Sequence, residues 1–126
     1  PGPTDPNRAF AMSGTSNGMV DNFNGTLWSQ QSYFDFLREH DVSWAAYYDQ
    51  DVWAVGFFED MNRLPNSAHI LPIDQFFTDL QQPDFPQFVW LEPSLVTHNV
   101  SGPPNWQHPD SSVAWGEVLI QNVYEA

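Results

Sequence analysis

The sequence predicts an α/β domain built on a mainly parallel sheet covered by helices, because short apolar runs alternate along it with segments of helical period. Three stretches carry that reading. Val42-Ser43-Trp44-Ala45-Ala46-Tyr47-Tyr48 and Phe88-Val89-Trp90-Leu91 read as strands, and Ile73, Phe76, Phe77 and Leu80 fall at the i, i+3, i+4, i+7 spacing of one helical face. Continuous apolar runs bounded by loops suit strands buried on both sides.

The remaining elements follow from local chemistry. Ala9-Phe10-Ala11-Met12 reads as a short apolar strand ending at the glycine-bearing turn Ser13-Gly14-Thr15-Ser16-Asn17-Gly18. Thr26 is expected to cap a helix over about 27–39, with Leu27, Phe34 and Leu37 on one face. Residues 51–62 mix aromatic and acidic side chains and fit neither helix nor strand. Prolines at 1–6, 83–86 and 103–109 mark loops, since proline lacks the backbone donor that regular structure uses. The tail from Ser111 to Tyr124 reads as a helix capped by Asp110, with Val113, Glu117, Ile120 and Tyr124 along one side. The long loop before Asp110 is a place to expect function.

Composition narrows the chemistry. A chain of 126 residues with 41% hydrophobic and 16% aromatic content can bury a core and is unlike a disordered tail. Sixteen acidic residues face three arginines, Arg8, Arg38 and Arg63, for a net charge of −13. That balance excludes non-specific binding to nucleic acid, which needs Lys and Arg to displace counterions. It also disfavours anionic membrane surfaces. With no Cys there is no disulfide framework, thiolate metal site or thiol nucleophile. No apolar run reaches membrane-spanning length. The opening Pro1-Gly2-Pro3-Thr4-Asp5-Pro6 lacks Met and any signal-peptide pattern, so the chain is expected to come from a longer protein. The triplets Asn24-Gly25-Thr26 and Asn99-Val100-Ser101 would accept N-glycans and lean the localisation toward a secreted or extracytoplasmic one.

Two places could do chemistry. A hydroxyl in Ser13-Gly14-Thr15, displayed where a strand turns, can act as a nucleophile if a metal or base activates it; the plain alternative is a polar turn. His108, in Trp106-Gln107-His108-Pro109-Asp110, can protonate a leaving group or bind phosphoryl oxygens; the plain alternative is a surface histidine. His40, His69 and His98 read as structural or surface groups. Asp49, Asp51, Glu59 and Asp60 lack the spacing and central glycine of a calcium loop and read as a solvated face. Phe57-Phe58 and Phe76-Phe77 read as core.

In order, Pro6-Asn7-Arg8 with Ser13-Gly14-Thr15, Thr26-Leu27-Trp28 leading into Phe36-Leu37, and Val42-Ser43-Trp44 with Tyr47-Tyr48 resemble the phosphoesterase family. That family includes bacterial phosphatidylcholine-type phospholipases C, plant non-specific phospholipases C and metal-dependent acid phosphatases. Phe88-Val89-Trp90-Leu91-Glu92-Pro93, His108-Pro109, and Gly116-Glu117 before Val123-Tyr124-Glu125-Ala126 continue the resemblance in the same order over nearly the whole chain.

The resemblance implies an alkaline-phosphatase-like α/β fold, of which residues 1–126 form a central segment of the catalytic domain. It also implies phosphoric ester hydrolysis through a phospho-enzyme, on a phospholipid or a phosphate monoester, with a divalent metal ion. Thr15 then becomes the first choice of nucleophile and metal-bound oxygen, with Ser13 second. His108 matches the family's active-site His-Pro step, and Asn7 and Arg8 take a supporting role. The family's upstream Glu-Asn-Arg-Ser-Phe-Asp-His and downstream Asp-Glu-His-Gly-Gly motifs are not in these residues. An incomplete metal site, and no activity for the chain by itself, are therefore expected. Beside this stands a second reading, an acidic aromatic-rich secreted binding module without catalysis, recognising its ligand through exposed Trp and Tyr.

Overall fold

A computed structural model describes residues 2–22, 24–95, 103–109 and 111–126. His98, the Asn99-Val100-Ser101 triplet and the expected cap Asp110 lie outside the described residues. The elements run α1 (Thr4–Ser13), α2 (Tyr33–Glu39), β1 (Trp44–Tyr48), β2 (Ile70–Pro72), α3 (Ile73–Asp79), β3 (Phe88–Glu92) and α4 (Val113–Glu125). Short 3-10 turns at Ala54–Phe57, Asp60–Asn62 and Asn66–His69 fill the stretch that fitted neither helix nor strand and its continuation.

The three strands form a parallel sheet in the order β2-β1-β3, with Trp44 opposite Phe88 and Ala46 opposite Ile70. Side chains alternate along the strands. Trp44 and Ala46 of β1, with Phe88 and Trp90 of β3, enter a core shared with Ala9, Met12, Phe34, Val55, Phe58 and Met61. Ala45 and Tyr47, with Val89 and Leu91, enter a second core with Phe76, Leu80, Phe85 and Val123. The sheet is therefore covered on both faces, the arrangement expected of a parallel sheet and of the predicted α/β class. The strands at 42–48 and 88–91 and the helix from Ile73 are borne out, although Phe77 is exposed beside the buried Phe76. β2 is three residues long and was not legible as a strand.

The first predicted strand is corrected: Ala9–Met12 lies inside helix α1. Asp5, Ala9 and Met12, spaced at i, i+4 and i+7, are buried together with Pro6, so the period is helical. Pro6 is tolerated because it falls in the first turn, where backbone N–H groups have no helical partner. Gly14, at φ 72°, ends the helix in the left-handed region and donates its N–H to the Phe10 carbonyl at 2.9 Å.

The helix expected over 27–39 is shorter than predicted, starting at Tyr33 after Ser32. The chain ahead of it stays extended because Trp28 is drawn into the core edge-on to Phe57 and Phe58, and its backbone bridges to Phe58. Asp60 substitutes for a local cap: its Oδ2 accepts the Ser32 N–H at 3.1 Å and the Ser32 hydroxyl at 2.8 Å. Burial raises the Asp35 carboxyl, but hydrogen bonds from Arg38, Gln31 and Asn66 outweigh it and hold the group below its usual 3.8. On the other side of the sheet the Tyr47 hydroxyl donates to Asp79 Oδ2 at 2.7 Å, tying β1 to the end of α3. Burial, reinforced by that carboxylate, pushes the Tyr47 phenol well up.

Helix α4 starts after Ser112, and its buried residue is Gly116. A Cβ there would come within 2.5 Å of Gln107 Cγ and 3.2 Å of the Asn105 carbonyl oxygen. The helix thus lies directly on the segment that carries His108. Val113, Ile120 and Tyr124 of the predicted face are exposed.

Two outcomes follow for stability. Gly116→Ala gains about 1 kcal/mol of helix propensity but overpacks by about 1–3 kcal/mol, so urea unfolding is expected to show a net loss of about 1 kcal/mol. Because the folded-state value of Asp35 is depressed, its contribution is fully present above about pH 4 and is lost as pH falls through the lowered value. Acid unfolding of Asp35→Asn should therefore show a weaker pH dependence below pH 4 than the parent chain does.

Candidate active site

A cavity of about 960 Å³ opens at the carboxyl end of β3, where Leu91, Pro93 and Leu95 form part of its wall. In open parallel sheets this end of the strands is where ligands bind. Three segments distant in sequence converge on it: the start of α1 with Thr4, Asp5 and Arg8; the segment with Asn105, Trp106 and His108; and α4 with Leu119, Ile120 and Val123.

Each segment is held by identifiable bonds. The Asp5 N–H donates to Asn22 Oδ1 at 3.1 Å, and the buried Asp5 carboxylate accepts the Trp53 indole N–H at 3.2 Å. Asn7 Nδ2 donates to the Gly2 carbonyl at 2.9 Å, closing the entry to α1. Arg8 Nη1 donates to Glu92 Oε1, and Glu92 Oε2 accepts the Trp90 indole N–H at 2.8 Å. A buried ion pair of this kind adds little net stability, but removing one partner would cost about 3–5 kcal/mol. It fixes how α1 meets the sheet.

The histidine segment is pinned through Asn105. Its Oδ1 accepts the Ser94 N–H at 2.6 Å, its own N–H donates to the Ser94 carbonyl, and its Nδ2 donates to Asp49 Oδ2 at 2.7 Å. The His108 ring stacks on Trp106 with centroids 4.5 Å apart and planes at 15°, and the Trp106 indole donates to Ser111 Oγ at 2.7 Å. His108 is exposed at the cavity with its ring face covered, a setting in which the ring nitrogens stay open to a ligand.

Thr15 and Ser13 sit elsewhere. Ser13 is the last residue of α1, and its hydroxyl is shared between the Ala9 and Thr15 carbonyls at 2.8 and 2.9 Å. Thr15 is exposed in the following turn, where its Oγ1 accepts the Asn17 N–H at 3.0 Å. Neither lines the cavity that holds His108. Both lie at the carboxyl end of a helix, where the backbone dipole disfavours an anion. Thr4, at the opposite end of α1, is exposed, lines the cavity with Arg8 and His108, and is the aliphatic hydroxyl among the lining residues. Sequence reasoning passed over it because Ala9–Met12 read as a strand. A Thr just ahead of Asp-Pro is itself a helix-start signal.

Among the described residues no group of three or more His, Asp or Glu side chains is placed to hold a metal ion. The described residues do not by themselves fit a divalent cation. No helix of the described residues is long and apolar enough to cross a membrane.

The model of the phosphoesterase family matches residues 1–126. Non-specific phospholipase C6 of Arabidopsis thaliana is 31% identical over 131 residues, covering 100% of this chain and 25% of that protein. Non-specific phospholipases C3 and C4 of the same plant are 30% and 31% identical, with all of this chain covering 24% of each. The chain thus spans about a quarter of the length of these relatives. Matched along its full length by the family model, the chain is a member of the phosphoesterase family.

Proposed function

We propose that this chain forms part of the active site of a phosphoric ester hydrolase acting on phospholipids. The observation that carries the proposal is the make-up of one cavity, lined by the polar Thr4, Arg8 and His108 and by the apolar Leu91, Leu95, Leu119, Ile120 and Val123. A phosphate ester of an apolar alcohol has the matching two ends. The names of the relatives, all non-specific phospholipases C, support the same substrate class.

In this reading the Thr4 hydroxyl attacks phosphorus, losing its proton to solvent and forming the Thr4–phosphate bond as the bond to the leaving alcohol oxygen breaks. His108 gives its proton to that oxygen; it then takes a proton from the water that attacks phosphorus, as the Thr4 oxygen leaves and is reprotonated from solvent. Attack at the start of α1 puts the developing negative charge against the positive end of a ten-residue helix. Thr15, implied as nucleophile by the family resemblance, is the hydroxyl against which Thr4 is to be compared. A divalent ion would take its ligands from other parts of a longer protein, and a secretory route fits the exposed acceptor triplet at Asn24.

Turnover of phosphatidylcholine and of p-nitrophenyl phosphate is the test, measured on the chain and on any longer protein its gene encodes. Thr4→Ala is expected to lower kcat about a thousandfold or more, and Thr15→Ala to leave it unchanged. The reverse result assigns the nucleophile to Thr15. His108→Asn should lower kcat by about 100-fold or more with the lipid, and far less with p-nitrophenyl phosphate, whose leaving group needs no proton. A chelator should abolish turnover by the longer protein and a divalent salt restore it. Phosphatidylcholine left intact by an enzyme that cleaves p-nitrophenyl phosphate would move the substrate class to monoesters.

A further inference from the structure

We propose that Arg8 binds the phosphoryl oxygens of the substrate and that Glu92, outside the cavity, is the positioning residue that aims its guanidinium. The inference rests on the phosphoester reading of the cavity. It begins from charge. The protein carries −13 with three arginines and no lysine, so an anionic phosphate meets a repulsive field unless a cation faces it locally. Arg38 and Arg63 are engaged elsewhere with Asp35 and Glu59. Arg8 alone of the three lines the cavity, as do Thr4 and His108.

Its setting is unlike that of a surface ion pair. Glu92 is 2% exposed and ends β3 opposite Tyr48 of β1, and its carbonyl accepts the Asp49 N–H at 3.1 Å, so its backbone is fixed. Each carboxylate oxygen has its own donor, Arg8 Nη1 on Oε1 and Trp90 Nε1 on Oε2, so the carboxylate cannot turn. A guanidinium has five N–H donors in a planar fork, and one edge on Glu92 leaves others for a second anion. The Arg8 side chain is 23% exposed and lines the cavity, whereas Glu92 does not. The carboxylate therefore stands behind the guanidinium, and the fork is held in place before any ligand arrives.

Titration of inorganic phosphate into the ¹⁵N-labelled chain tests this, following the Arg8 side-chain Nε–H signal, the Thr4 amide and the His108 ring, with calorimetry for affinity. Saturable movement of all three groups is expected. Arg8→Lys keeps the charge but loses the fork, and should weaken phosphate binding about tenfold. Glu92→Gln keeps the shape and an acceptor for Trp90. It should also weaken binding and move the Arg8 Nε–H signal to that of an exposed arginine, although removing a negative charge would by Coulomb attraction alone tighten it. Should Glu92→Gln fail to fold, Trp90→Phe, which frees one carboxylate oxygen, is expected to shift binding the same way by less. Phosphate that moves Thr4 and His108 but leaves Arg8 still, with unchanged affinity in Arg8→Lys, would overturn this inference and leave the phosphoester reading standing. No movement at any of the three groups would overturn both. Equal or tighter binding by Glu92→Gln, or by Trp90→Phe in its place, would remove Glu92 from the role.

Discussion

Strand β1 has a neighbour on each edge and must be covered on each face, and the rest of the described structure is arranged to meet that constraint. Its five residues send Trp44 and Ala46 to one core and Ala45 and Tyr47 to the other. A parallel strand so placed has no solvated side, which is why its sequence is a continuous apolar run and not an alternation. Helices α1 and α2 and the 3-10 turns cover one face, while α3 and Val123 of α4 cover the other. The alanines at 45 and 46 leave room for the large rings of Phe34, Phe58 and Phe76 in the surrounding cores.

At the carboxyl ends of β1 and β3 the apolar layers stop and polar groups take over. Asp49, Glu92 and Ser94 are each tied to a segment that arrives from elsewhere: Asp49 and Ser94 to Asn105, and Glu92 to Arg8 across 84 residues of chain. These bonds lie in partly buried surroundings, where an unmade hydrogen bond costs more than a made one contributes. They act less as sources of net stability than as fixings of geometry, and the geometry they fix is that of one cavity. In the proposed reading, that cavity takes the phosphate ester. Gly116 completes it by letting α4 lie against the Asn105–His108 segment at a distance no larger side chain allows.

Much of the fold was legible in the residues. The strand at Trp44 is buried along nearly all its length, the strand at Phe88 is half-buried, and the helix from Ile73 turns Phe76 into the core, so their patterns record their surroundings directly. Three features were not. Ala9–Met12 read as a strand because four small or apolar residues in a row carry no period of their own; only Asp5, four residues upstream and buried, reveals the helical one. Leu27 and Trp28 read as helix because extended backbone there depends on Phe57 and Phe58, thirty residues away. β2 escaped because its three residues gain strand character from pairing with β1 alone. For the proposed site, His108 was singled out from its loop, whereas Thr4 stood two residues ahead of the quoted Pro6-Asn7-Arg8 step and was hidden by the misread helix.

The sequence by itself determined the α/β class, the acidic net charge, the strands at the centre of the sheet and the family resemblance. Each of these is written in local pattern or in composition, which need no knowledge of what folds against what. Only the tertiary structure decided which hydroxyl shares a cavity with His108, that Arg8 reaches Glu92, and that α4 closes over the Asn105–His108 segment. Those facts depend on contacts between separate segments of the chain. Such contacts are set by how two cores pack on one strand, and no stretch of the chain records them alone.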